Sequence, residues 1–295
     1  MLEPRAGFDP ATITLPSTEN IDLKEFKKWL IAKEYSKSYI AVTMSCANRY
    51  NYILENNCLR DLDLLTNDKK ASAVKALILL SKFLGNAAQF KKKLDEYGIK
   101  IARPDSLASF LRLFNANGND TIQWYKEAMS KLRDNEALFT KFLLYSGLRT
   151  SEAIHSFNLI IKLGIEGKLS EYYDSKLRVL MHFKYPKLFI RRTKNCYITF
   201  IKPELLKQIA ISNPVTYAMM RKRFDRKHLK TRFNELRDKF GTYLLSHGIL
   251  EAEINLCQGR IPVDIFIRHY WSPKLKELAS RIFKAVETLQ SSLLS

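Results

Sequence analysis

Three arginines and a tyrosine stand where the sequence breaks from one helix to the next, the places where a charged side chain can face a ligand. In LLYSGLRTSEAI (143–154), Gly147 ends one helix. Ser151 or Thr150 can cap the next, with Glu152 in its first turn. Arg149 lies on the break and can point at an anion; the alternative is a surface arginine paired with Glu152. In LRDKFGTYLLSHGI (236–249), Phe240, Tyr243, Leu244 and Leu245 form an apolar helical face. Arg237, at the start of that helix, can share a buried face only if an anion or an acid meets it; otherwise it is a solvated charge. In QGRIPVDIFIRHYWSP (258–273), Gly259 breaks a helix, Arg260 follows it, and Tyr270 comes ten residues later. Ser272 can cap a last helix with Pro273 at its first position. His269 is a possible base for Tyr270, but adjacent residues point in different directions, which favours packing or solvent. His155, His182, His228 and His247 are scattered and form no site.

The elements that must hold these residues read as mostly helical. From Asn20, Leu23, Phe26 and Leu30 recur at helical spacing, with Trp29 beside them. Further helices are expected in YSKSYIAVTMSCANRYNYILENN, in KKASAVKALILLSKFLG and in NAAQFKKKLDEYG, the last two ended by Gly85 and Gly98. RPDS (103–106) and NANGND (115–120) bracket a short apolar helix, SLASFLRLF, and place a domain boundary near NANGND. Helices follow in TIQWYKEAMSKL and NEALFTKFLLYSG. LRVLMHF, KLFIRRT and CYITFI are short and rich in β-branched and aromatic residues, which predicts a small three-stranded antiparallel sheet with Lys194 in a turn. KPELLKQIA returns to helix. A basic run, RKRFDRKHLKTR (221–232), leads into the segment bearing Arg237. In the last helix, Leu275, Leu278, Ala279, Ile282, Phe283, Val286 and Leu289 form one stripe, able to pack on its own domain or on a neighbouring subunit. The fold class is therefore mainly α with a small antiparallel sheet. It comprises an irregular leader (1–18), a helical domain (19–116) and an α-rich second domain (117–295).

The chain of 295 residues carries 49 Lys+Arg against 30 Asp+Glu, a formal net charge of +19. That excess favours a polyanion, foremost nucleic acid, by phosphate neutralisation and counterion release; the alternative is a basic solvated surface. Residues 1–119 hold 18 basic and 13 acidic side chains, a balance of +5, while the rest hold 31 and 17, a balance of +14. The second region is the stronger polyanion binder. Cys46, Cys58, Cys196 and Cys257 are widely spaced with no CxxC pair, suggesting neither a zinc site nor a disulfide framework. With no apolar run near ~20 residues and no apolar signal core at the N-terminus, the expected place of work is inside the cell.

Taken in order, these pieces resemble the catalytic domain of the tyrosine recombinases, the phage integrase family. SGLRTSE, at 146–152, resembles that family's first motif, TGLRxSE. NELRDKFGTYLL, at 234–245, resembles its next, HxLRHxFATHLL. The last motif of the family is LGH or LGR, followed about nine residues later by a nucleophilic tyrosine; here the similar QGR (258–260) precedes Tyr270. The family's catalytic lysine lies in a β-hairpin turn, where RRTKNCYITF supplies Lys194. The resemblance covers roughly residues 120–295. The helical first region also looks like the family's DNA-clamping core-binding domain, without a specific motif. Asn234 replaces the family's histidine, Arg260 replaces another, and the gap to Tyr270 is one residue longer than usual. Such departures resemble archaeal virus and plasmid integrases.

The resemblance implies transesterification at a DNA phosphate through a 3′-phosphotyrosine, with neither cofactor nor metal. It assigns Tyr270 as nucleophile, Lys194 as general acid, Arg149, Arg237 and Arg260 as donors to the phosphate, and Glu152 as orienting the arginines. Asn234 can hydrogen-bond phosphate but cannot shuttle a proton. Arg221, Lys222, Arg223, Lys227, Lys230 and Arg232, in the basic run, are expected to track phosphates without reading bases; the alternative is a solvated face. The implied partners are double-stranded attachment sites and, on two of them, a homotetramer, the free chain being a monomer or weak oligomer in the host cytoplasm. GFDP (7–10) can be encoded as GGN-TTY-GAY-CCN, matching the TΨC arm of a tRNA gene, so residues 1–16 are a candidate translated attachment site. A non-catalytic DNA-binding protein of the same fold and a recombinase that resolves replicon dimers are the competing readings.

Overall fold

A computed structural model describes residues 21–100, 107, 110–111, 119–191, 194–260 and 273–294. Tyr270, His269, Ser272 and the GFDP leader lie outside the described residues. The chain divides into two compact units, Met1–Ala116 and Asn117–Ser295. No described helix is long and apolar enough to cross a membrane.

The first unit is helical throughout its described part. It contains α1 (Leu23–Ala32), α2 (Lys37–Tyr50), α3 (Tyr52–Glu55), a 3₁₀ helix (Leu59–Leu64), α4 (Asn67–Phe83) and α5 (Ala87–Glu96). The Asp22 carboxylate starts α1 by accepting the N–H groups of Lys24 and Glu25. Phe26 and Leu30 of α1 are buried with Leu77 and Leu80 of α4 and Phe90 of α5, so helical spacing becomes one apolar core. The helix expected over 35–57 is divided at Asn51 into α2 and α3. Of the SLASFLRLF helix, Leu107, Phe110 and Leu111 are described, and all three are helical.

The second unit contains α6 (Asn119–Lys131), α7 (Asp134–Ser146) and α8 (Thr150–Ile165), then β1 (Tyr173–Asp174), β2 (Val179–Met181), α9 (Pro186–Phe189) and β3 (Ile198–Phe200). It continues with α10 (Pro203–Ala210), α11 (Tyr217–Arg226), α12 (Phe233–Ser246), α13 (Glu251–Cys257) and α14 (Leu275–Leu294). The sheet is antiparallel in the order β1-β2-β3, with Tyr173 opposite Leu180 and Val179 opposite Phe200. Its membership corrects the expectation from the sequence. Over its described residues, 187–191, KLFIRRT is not a strand: Pro186 opens α9, where its fixed φ and missing N–H suit the first helical position. Phe189 is then buried against the rings of Tyr172 and His182, and among the described residues only an isolated bridge, Ile190 to Asn195, remains of the expected pairing. The third strand is β1, whose two residues are too few to show alternation.

Leu278, Ile282, Val286 and Leu289 of α14 are buried in the second unit's own core, with Phe139, Phe142, Phe157 and Phe240. Each such side chain contributes roughly 1.5–3 kcal/mol of apolar burial. The stripe expected on this helix is therefore covered within its own unit. Cys196 and Cys257 are buried free thiols, and burial pushes both upward in pKa, Cys257 to about 12.

Three helices of this unit begin alike. Glu136 in α7, Glu152 in α8 and Glu253 in α13 are buried at the third helical position. Each accepts the N–H of the capping residue, from Arg133 (3.1 Å), Arg149 (3.1 Å) and Leu250 (3.0 Å). Each also meets arginine from elsewhere in the chain, which is what makes its burial tolerable.

Candidate active site

Glu152 is the centre of the arrangement. Its side chain is fully buried, held by the first turn of α8. The helix starts at Thr150, so Arg149 is the capping residue in place of the expected Ser151 or Thr150. Arg149 Nη1 donates to Glu152 Oε1 at 2.7 Å and to the Asn195 carbonyl at 3.3 Å. Arg191 Nη2 donates to the same Oε1 at 3.0 Å. Arg237 Nη1 stands 4.0 Å from Oε2. Three guanidinium groups thus surround one carboxylate, leaving two positive charges in excess. Arg149 pairs with Glu152, as the alternative reading of it expects, and the cluster around that acid carries surplus positive charge.

Arg237 joins three segments far apart in sequence. It is 6% exposed within α12. Its Nη1 donates to the Gly147 carbonyl and its Nη2 to the Gln258 carbonyl, both at 2.7 Å. Gln258 Nε2 donates back to the Arg237 carbonyl at 3.3 Å. A buried arginine at the expected position is met by two carbonyls as well as by an acid. Burial first, then the Arg149 charge, pushes its pKa down to about 10; Glu152 opposes this and Arg260 adds to it. It remains cationic near neutral pH.

Two glycines allow this convergence. Gly147 has φ +60°, and a Cβ there would stand 2.2 Å from the Phe240 ring. Gly259 has φ +70°, and a Cβ there would stand 1.8 Å from the Asn195 carbonyl oxygen. Glycine supplies both the left-handed backbone and the room for close approach. The first brings the SGLR turn onto α12; the other brings the QGR turn against the Ile190–Asn195 bridge.

The remaining expected residues divide. Arg260 is exposed just after Gly259, close enough for its charge to act on Arg237. Lys194 is exposed, and its carbonyl accepts from Arg191 Nε at 3.3 Å. Asn234 is exposed on α12 and lines a cavity of about 180 Å³ with Thr150, Tyr217, Thr231 and Arg232. A larger cavity of about 570 Å³, between β3, α10 and α14, holds none of the expected site residues. Arg191 and the carbonyls of Gly147, Asn195 and Gln258 were not foreseen. Arg191 lies in RRTKN, where residue type alone does not mark a partner for Glu152.

In the basic run, Lys222, Lys227 and Lys230 are exposed, as is Arg221, 3.9 Å from Asp225. Arg223 departs from the expected phosphate-facing role. Its Nε bonds the buried Glu136 at 3.0 Å, because a carboxylate withdrawn from water needs a cation. Arg232 bonds Glu235 at 2.6 Å and the Asp120 carbonyl at 3.3 Å, which ties it partly to its own unit. Among the described residues no group of three or more His, Cys, Asp or Glu could hold a metal ion.

A cationic cluster with one buried acid suits a bound oxyanion. Arg149 Nη2 and the second N–H of Arg237 Nη2 take no part in these bonds, and low local dielectric strengthens such donors. No protein-family model matches the chain, and no curated protein matches it.

Proposed function

We propose that this chain is a tyrosine-type site-specific DNA recombinase, the integrase of an archaeal viral or plasmid element that inserts into a host tRNA gene. The single observation that carries the reading is Glu152, buried and surrounded by Arg149, Arg191 and Arg237, with Arg260 beside them. A phosphodiester supplies the anionic charge this cluster lacks.

In this mechanism the Tyr270 oxygen attacks phosphorus, its phenolic proton passing to solvent, and the 5′-oxygen leaves, taking a proton from Lys194. The product is a 3′-phosphotyrosine, which keeps the bond energy until a 5′-hydroxyl from the partner strand reverses the step. Charge gathers on the non-bridging oxygens in the transition state, where Arg149, Arg237 and Arg260 donate. The resemblance assigns general acid work to Lys194, and Asn234, an amide, can hydrogen-bond the phosphate without shuttling a proton. Glu152 fixes the guanidinium planes and lowers their mutual repulsion.

The second unit is the catalytic domain in this reading, and the helical first unit is a core-binding domain that clamps the duplex. Lys222, Lys227 and Lys230, with Arg221, follow phosphates beside the cleavage point. The working assembly is a homotetramer on two attachment sites in the host cytoplasm, the free chain being a monomer or weak oligomer.

The test uses nicked duplexes taken from the DNA at and around the gene's own 5′ end, where residues 1–16 would be the translated attachment site. Wild-type protein should form a protein–DNA adduct that survives denaturant. Tyr270→Phe should bind the same duplexes and form none. Binding without an adduct in the wild type would favour the non-catalytic alternative.

A further inference from the structure

We propose that Arg191 is a positioning residue that fixes the lysine turn to the arginine cluster and so sets where the Lys194 ammonium stands. The proposal rests on the reading of Lys194 as the acid that protonates the leaving oxygen. Lys194 is exposed, and its long side chain has no rigidity of its own. Placement must come from its backbone, since a misplacement of about 1 Å costs a reaction roughly 100-fold.

The backbone is held at Lys194 and at Asn195. Asn195, after the lysine, is fixed through its carbonyl by Arg149 Nη1 and by close approach of Gly259. Its side chain accepts the Arg191 N–H at 2.9 Å and donates to the Tyr197 hydroxyl at 3.1 Å. The lysine's own carbonyl is held by Arg191 alone among the described residues, through Nε at 3.3 Å. The same edge of that guanidinium reaches Glu152 through Nη2 at 3.0 Å. One planar fork therefore bridges the lysine's backbone and the acid that organises Arg149 and Arg237. An ammonium is a point donor and cannot span both acceptors in this fixed geometry. Arg191 is not one of the residues that the sequence motifs supply, and its role is separate from charge: a strut needs the fork, whereas a phosphate contact needs only the cation.

The full chain is compared as wild type, Arg191→Lys, Arg191→Gln and Lys194→Ala on two nicked duplexes. One carries the ordinary 5′-oxygen leaving group; the other carries sulfur there, which departs as a thiolate without a proton. With oxygen, Arg191→Lys and Arg191→Gln should form adduct about 100-fold more slowly than wild type, as expected for loss of a general acid's placement. With sulfur, both should return to within about threefold of wild type, and so should Lys194→Ala. The proposal is overturned if Arg191→Lys matches wild type with oxygen, or if both Arg191 variants are equally slow with either leaving group. Amide hydrogen exchange separates this proposal from the recombinase reading. In Arg191→Gln, exchange at the Cys196 amide, which bonds the Phe189 carbonyl, should rise about tenfold while Met181 in β2 is unchanged. If wild type forms no adduct with either duplex, the recombinase reading fails. The exchange result then decides the strut, and unchanged exchange at Cys196 overturns it.

Discussion

Glu136 and Glu152 occupy the same place in successive helices, and their surroundings divide structure from chemistry. Both are buried at the third position, and both accept a capping N–H at 3.1 Å. Glu136 meets a single arginine, Arg223, and the pair is electrically closed. Glu253 repeats that solution with Arg281, whose Nη1 donates at 3.0 Å and whose Nη2 donates to the other oxygen. Glu152 meets Arg149, Arg191 and Arg237, and closes nothing. A buried ion pair is weak evidence of a site, because its Coulomb gain largely offsets desolvation. A buried acid ringed by surplus arginines is different: Arg149 and Arg191 reach solvent, where the extra charge can meet a ligand. The same local device thus serves as a fold anchor twice and as a candidate phosphate site once.

The comparison can be broken first at its two acids. Glu152→Gln should lower stability by about 3–5 kcal/mol, because three guanidiniums are left without their counter-charge. Added sulfate should recover more of the thermal midpoint in that variant than in Glu136→Gln, where no cationic surplus exists. Equal recovery in both would remove the distinction. Next come the arginines. Arg149→Ala should slow adduct formation by about 10²–10³-fold, in the range for losing one transition-state donor. Its stability should change by no more than about 1 kcal/mol, since two guanidiniums remain on Glu152. Arg223→Ala should do the reverse, costing about 3 kcal/mol by leaving Glu136 buried and unpaired, with the adduct rate held at a temperature where the variant is folded.

Acid gives a smaller effect that separates the same regions. Beneath α8, Ser156, Tyr172, His182 and Thr199 are linked by hydrogen bonds of 3.0, 2.6 and 2.7 Å. Burial pushes His182 down to about 3 from 6.5. A base lowered in this way stays neutral when folded and takes up a proton on unfolding. Its contribution is complete above 6.5 and declines as pH falls from 6.5 towards 3. About 2 kcal/mol should be lost between pH 7 and pH 5, at ~1.4 kcal/mol per pH unit below 6.5. Denaturant titrations should show that loss, and His182→Gln should flatten it. A slope equal in both proteins would place the acid sensitivity elsewhere. The smallest effect belongs to the exposed run: Lys222→Ala or Lys227→Ala should weaken DNA binding alike on all sequences and reduce the salt slope by about 0.9 each.

Helix content and the glycine breaks were legible because apolar spacing and left-handed stops are local properties. Glu152 was legible as a first-turn acid, and Arg237 as an arginine needing a partner on a buried face. The partners themselves were not. Gly147 and Gln258 serve through carbonyl oxygens, which every residue has, so no side-chain pattern marks them. Arg191 and Arg223 are decided by which buried carboxylate each can reach across the fold, information that a run of basic residues does not contain. KLFIRRT read as a strand by its composition, but Pro186 and the packing of Phe189 overrode that propensity.

In the proposed mechanism a phosphate held by the Glu152 cluster is attacked by Tyr270. The most direct test is to digest the denaturant-stable protein–DNA adduct and map the attachment by mass spectrometry. The chain has 14 tyrosines, so the position is informative. The expected product is a nucleotide 3′-phosphate on Tyr270 and none on Tyr217, the tyrosine lining the cavity beside Asn234. Attachment to any other tyrosine, or a reproducible absence of adduct from folded, DNA-bound protein, would contradict it.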